Sequence, residues 1–302
     1  MRIAFAGTPD SAVMPLLALI DSHHEVCFVI TRPDAPSGRG RQLTQSPVAA
    51  LAHERGIEIL KPTHIAQIAT RLAEVDLVVV VAYGALIPEN LLAVPAHGWI
   101  NVHYSLLPTW RGAAPVQHAI IHGDDISGVT IFQIDKGLDT GPVFATVTTS
   151  ISSTVTATEL LGQLNQMASV LMEQVLDGIE SDRISAQPQS SIDVSYAPKI
   201  STNDARIDWT LPALAISRRI RAMTDSPGAW TMLGDERIKM SPVKLRTDNV
   251  ELRPGQVAVA DKAILVGTGS HAVELTFIQR AGKTSTPASE WAHSLSDSAM
   301  LA

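Results

Sequence analysis

The sequence predicts an α/β fold. A Rossmann-like catalytic domain with a mainly parallel sheet is expected first, then a small β-barrel C-terminal domain of OB-like type. Three observations predict it. Apolar, β-branched runs alternate with helix-periodic stretches through the first half of the chain, the pattern of βαβ units. One run, residues 76–82 (DLVVVVA), is continuously apolar, as in a strand buried on both faces. Beyond residue 184 the pattern changes to a polar stretch, one helix and short strands separated by turn signals.

Each element has a local reason. Residues 2–6 form a short apolar strand ending at Gly7, and Thr8, Pro9 and Asp10 open a helix through about Ile20. Val26–Thr31 is a second strand. Residues 47–55 read as a helix with Pro47 at its start and Gly56 after its end. A strand at 57–60, a helical stretch around 65–73, the strand at 76–82 and another at 98–103 follow. Pro115–His122 reads as a helix and residues 128–134 as a strand. Val155–Ile179 is a long amphipathic helix whose apolar residues recur at helical spacing, from Leu160, Leu161 and Leu164 to Val175 and Ile179. The domain boundaries expected are 1–183 for the catalytic domain, 184–206 for a linker and 207–302 for the barrel. The barrel region holds a helix at 211–223 and turn signals at Leu233-Gly234-Asp235, Pro254-Gly255 and Gly267–Gly269.

Composition narrows the function. The 302 residues are 45% hydrophobic and 18% charged, ample for a core, which excludes wholesale disorder. A single cysteine, Cys27, in an apolar run excludes a disulfide framework and a cysteine-based metal cluster. No run of about 18 apolar residues suggests a membrane span, and the N-terminus lacks the form of a signal peptide, so a soluble cytoplasmic protein is expected. The formal net charge of −7 disfavours nucleic-acid binding by the whole surface. That charge is uneven: residues 1–205 hold 11 Lys+Arg against 20 Asp+Glu, whereas residues 206–302 hold 12 against 10. A short stretch, Thr31–Leu43, adds Arg32, Arg39 and Arg41 against one aspartate, so local polyanion contacts remain open, as does a plain solvated loop.

The motif inventory excludes several chemistries. No G-x-G-x-x-G follows the first strand, which disfavours a nicotinamide oxidoreductase. There is no phosphate-binding G-x-x-x-x-G-K-[ST] and no H-E-x-x-H. Ser105 lacks the G-x-S-x-G elbow of a serine nucleophile. The informative segment is 100–142. Asn101 and His103 stand two apart at the end of a predicted strand, which puts both on one face, where α/β folds place ligands. An amide can stabilise an oxyanion while an imidazole moves a proton near neutral pH. Asp139, on a glycine-flanked loop, could orient that imidazole and raise its pKa. Alone, N-x-H is weak, and Asp139 reads equally as a turn residue. The other histidines, His23 and His24 among them, read as structural.

Taken together, FAGTP at 5–9, RPDAPSGRGRQL at 32–43, NVHYSLLPTWRGAAP at 101–115, GLDTGP at 137–142 and KISTNDARIDW at 199–209 resemble the 10-formyltetrahydrofolate-dependent formyltransferases. Within that family the resemblance is to the methionyl-tRNA enzymes and covers about three-quarters of the chain. It implies transfer of the formyl group of 10-formyltetrahydrofolate, a cosubstrate, to the α-amine of methionyl-initiator tRNA for translation initiation, without a metal. Asn101, a protonated His103 and Asp139 would be catalytic. Ser105, Leu106, Leu107 and Pro108, with Leu86 and Ile87, would line the folate pocket, and the Leu107–Pro108 bond would be cis. Arg32, Arg39 and Arg41 would reach the acceptor end of the tRNA, and Arg218, Arg219 and Arg221 would hold its stem. A monomer is expected. The sequence departs from the family at Ser11, where an aromatic is usual, in a less basic loop 32–45, and in the tail 284–302. Two alternatives stand beside this reading: a formyltransferase acting on an amino sugar nucleotide, and a non-catalytic tRNA- or folate-binding protein.

Overall fold

The computed structural model of the chain describes residues 1–37, 42–247, 250–260, 263–291, 295 and 299–302. The chain divides into two compact units. The first comprises residues 1–112, 126–149 and 161–197; the second comprises 113–125, 150–160 and 198–302.

The first unit is built on a seven-stranded sheet. Its strands are β1 (Arg2–Gly7), β2 (Glu25–Ile30), β3 (Glu58–Leu60), β4 (Leu77–Val81), β5 (Trp99–His103), β6 (Ile126–Gln133) and β7 (Val143–Ser150). Their order across the sheet is β7-β6-β5-β4-β1-β2-β3. From β5 to β3 every pairing is parallel, whereas β5 and β6 pair antiparallel. All five residues of β4 are buried, which explains its unbroken apolar run. Burying a Val or Leu side chain stabilises the fold by about 1.5–3 kcal/mol, so this central strand anchors the sheet. Ala4, Ala6, Phe28, Ile30, Val78 and Val80 form one face of the core with Leu72, Tyr83 and Trp99.

The helices follow their signals. The first begins as a short 3-10 turn, Asp10–Ala12, and continues as α1 (Val13–Asp21). In α2 (Pro47–Glu54), Ser46 caps the start by accepting a hydrogen bond from the Ala49 amide, with Pro47 in the first turn. α3 (Pro115–His122) ends at Gly123, whose φ of +78° supplies the left-handed C-cap. The long helix α4 spans Ala157–Glu180 and buries Leu160, Leu164, Ala168, Met172, Val175, Leu176 and Ile179.

Two features differ from the sequence reading. β7 (VFATVTTS) is an added edge strand. Its residues alternate between half-buried and exposed toward the end, so its polar face hides it among loop-like threonines. The segment expected as a linker, 184–206, is not free up to Ala197. Gln187 bridges to Val143, and Tyr196–Ala197 pairs in parallel with Arg111–Gly112. Polar side chains and two prolines make it look unstructured, yet Gln187 exchanges backbone hydrogen bonds with Val143, and Ser195 bonds to Pro108 and Arg111.

In the second unit, α5 (Ala213–Ala222) packs on α3. Eight strands form two four-stranded antiparallel sheets. One contains β8 (Trp230–Leu233), β9 (Glu236–Met240), β14 (Phe277–Arg280) and β15 (Thr286–Pro287). The other contains β10 (Lys244–Leu245), β11 (Val257–Ala260), β12 (Ala263–Val266) and β13 (Val273–Leu275). Ile238, Met240 and Ile278 of the first sheet share a core with Val257, Ile264, Val266, Val273 and Leu275 of the second. The turn signals worked as expected at Leu233-Gly234-Asp235, where Gly234 has φ +56° between β8 and β9. No helix among the described residues is long and apolar enough to cross a membrane.

Candidate active site

Asn101 and His103 both lie on β5, paired opposite Phe132 and Thr130 of β6. The two-residue strand period places them on one face. His103 sits at the carboxyl end of the strand and is 5% exposed. Its ring meets the Phe132 ring edge-on, with centroids 6.4 Å apart. The Asn101 side chain makes no hydrogen bond among the described residues. Its amide is therefore available to a ligand.

His103 is held from two sides. Nε2 lies 2.9 Å from the Trp110 carbonyl oxygen. A carbonyl can only accept, so Nε2 carries a proton and donates it to this bond. Nδ1 lies 3.8 Å from Asp139 Oδ2. The same carboxylate oxygen accepts a 2.7 Å hydrogen bond from the Gly112 amide.

Burial lowers the His103 pKa below its ordinary value, and this outweighs the opposing pull of Asp139 and of the Trp110 carbonyl. Asp139 and the Trp110 carbonyl pull the other way, toward the imidazolium that the resemblance implies. The sequence shows the carboxylate, but the desolvation comes from packing it does not display.

Asp139 has φ +52° and Trp110 φ +62°. Non-glycine residues in this region cost about 1–3 kcal/mol and persist only where the surroundings hold them. Gln189 is one such support. Its Nε2 donates to the carbonyls of Asp139 and Gly141, both at 2.8 Å. Its Oε1 accepts from Arg111 Nη2 at 2.7 Å and Nε at 3.2 Å. One amide thus ties the Asp139 loop to a buried guanidinium beside Gly112. Gly141 is required on steric grounds, because a Cβ there would fall 1.7 Å from the Gln133 carbonyl oxygen.

The loop after β5 is also pinned. Thr130 Oγ1 donates to the Ser105 carbonyl at 2.7 Å and accepts from the Leu107 amide at 3.1 Å. Ser105 Oγ donates to the Thr109 carbonyl at 2.6 Å, and Ser105 is 1% exposed. Its hydroxyl shapes the loop, whereas Leu106, Leu107 and Pro108 remain half-buried. The Leu107–Pro108 bond is cis. Leu86, 89% exposed, and the half-buried Ile87 lie on the loop after β4. Exposed leucines on a loop suit contact with an apolar, planar ligand. Leu138, next to Asp139, is also exposed.

The expected tRNA-contacting arginines fare unequally. Arg32 is exposed, whereas Arg39 and Arg41 lie outside the described residues. On α5, Arg219 Nη1 donates to the Asp204 carbonyl at 2.7 Å. The Arg218 guanidinium lies where a Cβ on Gly123 would be. Arg221 is a correction. It is 6% exposed and donates to the Val155 carbonyl at 2.6 Å, because the i,i+4 period aligns it with the buried Ser217 and Ala213. It is not available to phosphate.

Sequence reasoning missed Gln189 and the second unit's Arg–Trp stack. The Arg237 guanidinium lies 4.1 Å from the Trp230 ring centroid and that of Arg206 lies 5.7 Å from it. Gln189 carried no signal, since its partners are about 50 and 78 residues away. Arg206 lies inside the KISTNDARIDW motif.

The sequence matches the family described as "Formyl transferase" over residues 1–176 and "Formyl transferase, C-terminal domain" over residues 199–296. The chain belongs to the formyl transferase family. Its curated relatives include the methionyl-tRNA formyltransferase of Arthrobacter sp. (strain FB24), 54% identical over 97% of this chain and 96% of that protein. The enzyme of that name from Thermobifida fusca (strain YX) is 51% identical over the same shares of the two chains. Among solved structures, an N-formyltransferase from Helicobacter canadensis in complex with folinic acid and dTDP-3-aminofucose has a TM-score of 0.70 at 17% identity, covering 93% of this chain and 99% of that one. That likeness is one of fold.

Proposed function

We propose that this protein transfers the formyl group of 10-formyltetrahydrofolate to the α-amine of methionyl-initiator tRNA, giving N-formylmethionyl-tRNA for translation initiation. The observation that supports the reaction is an unpartnered Asn101 amide on the same strand face as His103, whose Nδ1 faces Asp139. The substrate is inferred from relatives that carry this name over nearly the full chain, C-terminal region included.

The chemistry follows from these groups. The methionyl amine attacks the formyl carbon, a C–N bond forms, and the formyl oxygen becomes an oxyanion. Asn101 donates to that oxygen. His103 Nδ1 takes the proton that the amine loses. The resulting imidazolium is stabilised by Asp139 on one side and the Trp110 carbonyl on the other, and its charge lies beside the oxyanion. Collapse breaks the bond to the folate nitrogen, which takes the proton and leaves as tetrahydrofolate. Leu106, Leu107, Pro108, Leu86 and Ile87 would hold the folate ring by apolar contact. Leu138 extends the same kind of surface. Ser105 shapes this wall from behind.

For the tRNA, exposed Arg32 and the loop carrying Arg39 and Arg41 would meet the acceptor end, and Arg218 and Arg219 would lie under the stem. The Arg206–Trp230–Arg237 stack adds charge beside an aromatic plane, a combination that suits nucleic acid. We place the protein in the cytoplasm as a monomer.

Charged initiator tRNA incubated with the protein and 10-formyltetrahydrofolate should shift on an acid gel. A parallel reaction with an amino sugar nucleotide should give no product. The reverse pattern sinks the tRNA assignment, and no turnover of either substrate sinks the catalytic one.

A further inference from the structure

At the opposite edge of the same sheet, the turn before β2 brings His23 and His24 against Asp177 and Glu180, one helical turn apart near the end of α4. One ligand-type atom from each of the four lies within 4.8 Å of all the others. His23 Nε2 is 3.0 Å from Glu180 Oε2 and 3.7 Å from Asp177 Oδ1. His24 Nε2 is 3.3 Å from Asp177 Oδ1. In a tetrahedral zinc site with arms of about 2.0–2.2 Å, donor atoms stand roughly 3.3–3.6 Å apart. The measured separations bracket that spacing.

A second observation points the same way. The His24 side chain is fully buried, yet its Nε2 has no hydrogen-bond partner, and neither does Asp177 Oδ1, which faces it. Buried polar atoms are almost always satisfied, so two orphans facing each other at ligand spacing call for an explanation. A cation between them supplies one. The outer positions are already supported: the Met1 ammonium donates to Glu180 Oε1 at 2.6 Å and lies 3.2 Å from His24 Nδ1. Glu180 Oε2 is thereby turned toward the cluster.

We propose that His23, His24, Asp177 and Glu180 form a site for a divalent transition ion of the zinc class, at the amino-terminal edge of the sheet and separate from formyl transfer. Two imidazoles and two carboxylates favour zinc over magnesium, which prefers oxygen ligands and keeps its waters. The carboxylates balance the charge of the ion. The ion would tie the end of α4 to the turn before β2, a structural rather than catalytic role.

The full-length protein, dialysed free of metal, is titrated calorimetrically with Zn2+ and, in parallel, with Mg2+. One equivalent of Zn2+ should bind and raise the thermal midpoint, and Mg2+ should not. Asp177→Asn and His23→Gln should each weaken zinc binding on the order of tenfold or more. Both side chains are partly exposed, so both variants keep the fold, which circular dichroism verifies; His24→Gln removes a buried ring and serves only as a third variant. Absence of a saturable single equivalent, equal binding of Mg2+, or unchanged zinc affinity in both folded variants overturns the proposal.

Discussion

The first unit holds two histidine–carboxylate groups, one at each edge of its sheet. At the carboxyl edge, His103 and Asp139 are fixed by backbone: the Trp110 carbonyl takes Nε2 and the Gly112 amide takes the carboxylate. At the amino edge, His23, His24, Asp177 and Glu180 are fixed mainly by one another and by the Met1 ammonium. Only His24 among them is buried. Backbone anchors hold reacting atoms in one geometry and make rate sensitive to small displacements. Side-chain anchors leave room for an ion to pull its ligands inward. The residue types are alike, and what separates the two groups is what holds them.

The sharpest break in that comparison is at the catalytic edge. Asn101→Ala should lower kcat by about 10²–10³, roughly 3–4 kcal/mol, if its amide is the oxyanion donor. Single-turnover formylation measures it, and a loss below threefold would remove that role. Asp139→Asn should lower kcat by about 10² with tRNA binding retained. It also removes the influence that raises the His103 pKa, so the acid limb of the pH–rate profile should move to lower pH. A limb that stays in place or moves up would show that the carboxylate does not act through the imidazole.

A smaller effect is expected one layer out. Gln189→Ala should reduce kcat on the order of tenfold, with a lesser change in KM, since it frees the Asp139 loop without touching substrate. Equal changes in both constants would make Gln189 part of the binding surface instead.

The smallest effects are on stability and oppose the two edges by pH. His103 and His24 are both pulled below the ordinary histidine value by burial. Their neutral forms therefore favour the folded state above about pH 6.5, and that contribution is lost as pH falls below it. Glu180 is held at about 2 by hydrogen bonds from the Met1 ammonium and then His23. Its contribution is present above the ordinary carboxylate range and is lost as pH falls toward 2. Urea midpoints followed from pH 7.5 to 3 should show a decline below 6.5 in the wild type. Glu180→Gln should remove the component below about 4.5 and, because Glu180 raises the His24 pKa, also move the histidine-linked decline. A component below about pH 4.5 that persists unchanged in that variant would contradict the assignment.

Much of the fold was legible because its signals are local. Pro115–His122 announced itself by a proline at one end and Gly123 at the other, and β4 by five consecutive apolar residues. The catalytic strand was legible for the same reason, as Asn101 and His103 stand two apart. What the sequence hid is non-local. Gln189 meets Asp139 only after the chain has returned from α4. The charge state of His103 depends on burial under Phe132 and the loop after β5. Arg221 looked like its neighbours Arg218 and Arg219 until the turn of α5 placed it inside. His23 and His24 read as structural histidines with no named partner because Asp177 and Glu180 are about 150 positions away.

The second unit is assembled from three stretches, two of which interrupt the first unit in the chain. During synthesis, α3 emerges from the ribosome about ninety residues before α5, the helix it packs against. On α3, Ile121 packs on the core to which α5 contributes Ile216 and Ile220, so it stays uncovered until nearly three-quarters of the nascent chain is out. A fragment cut near residue 200 would leave that side of α3 without its partner helix.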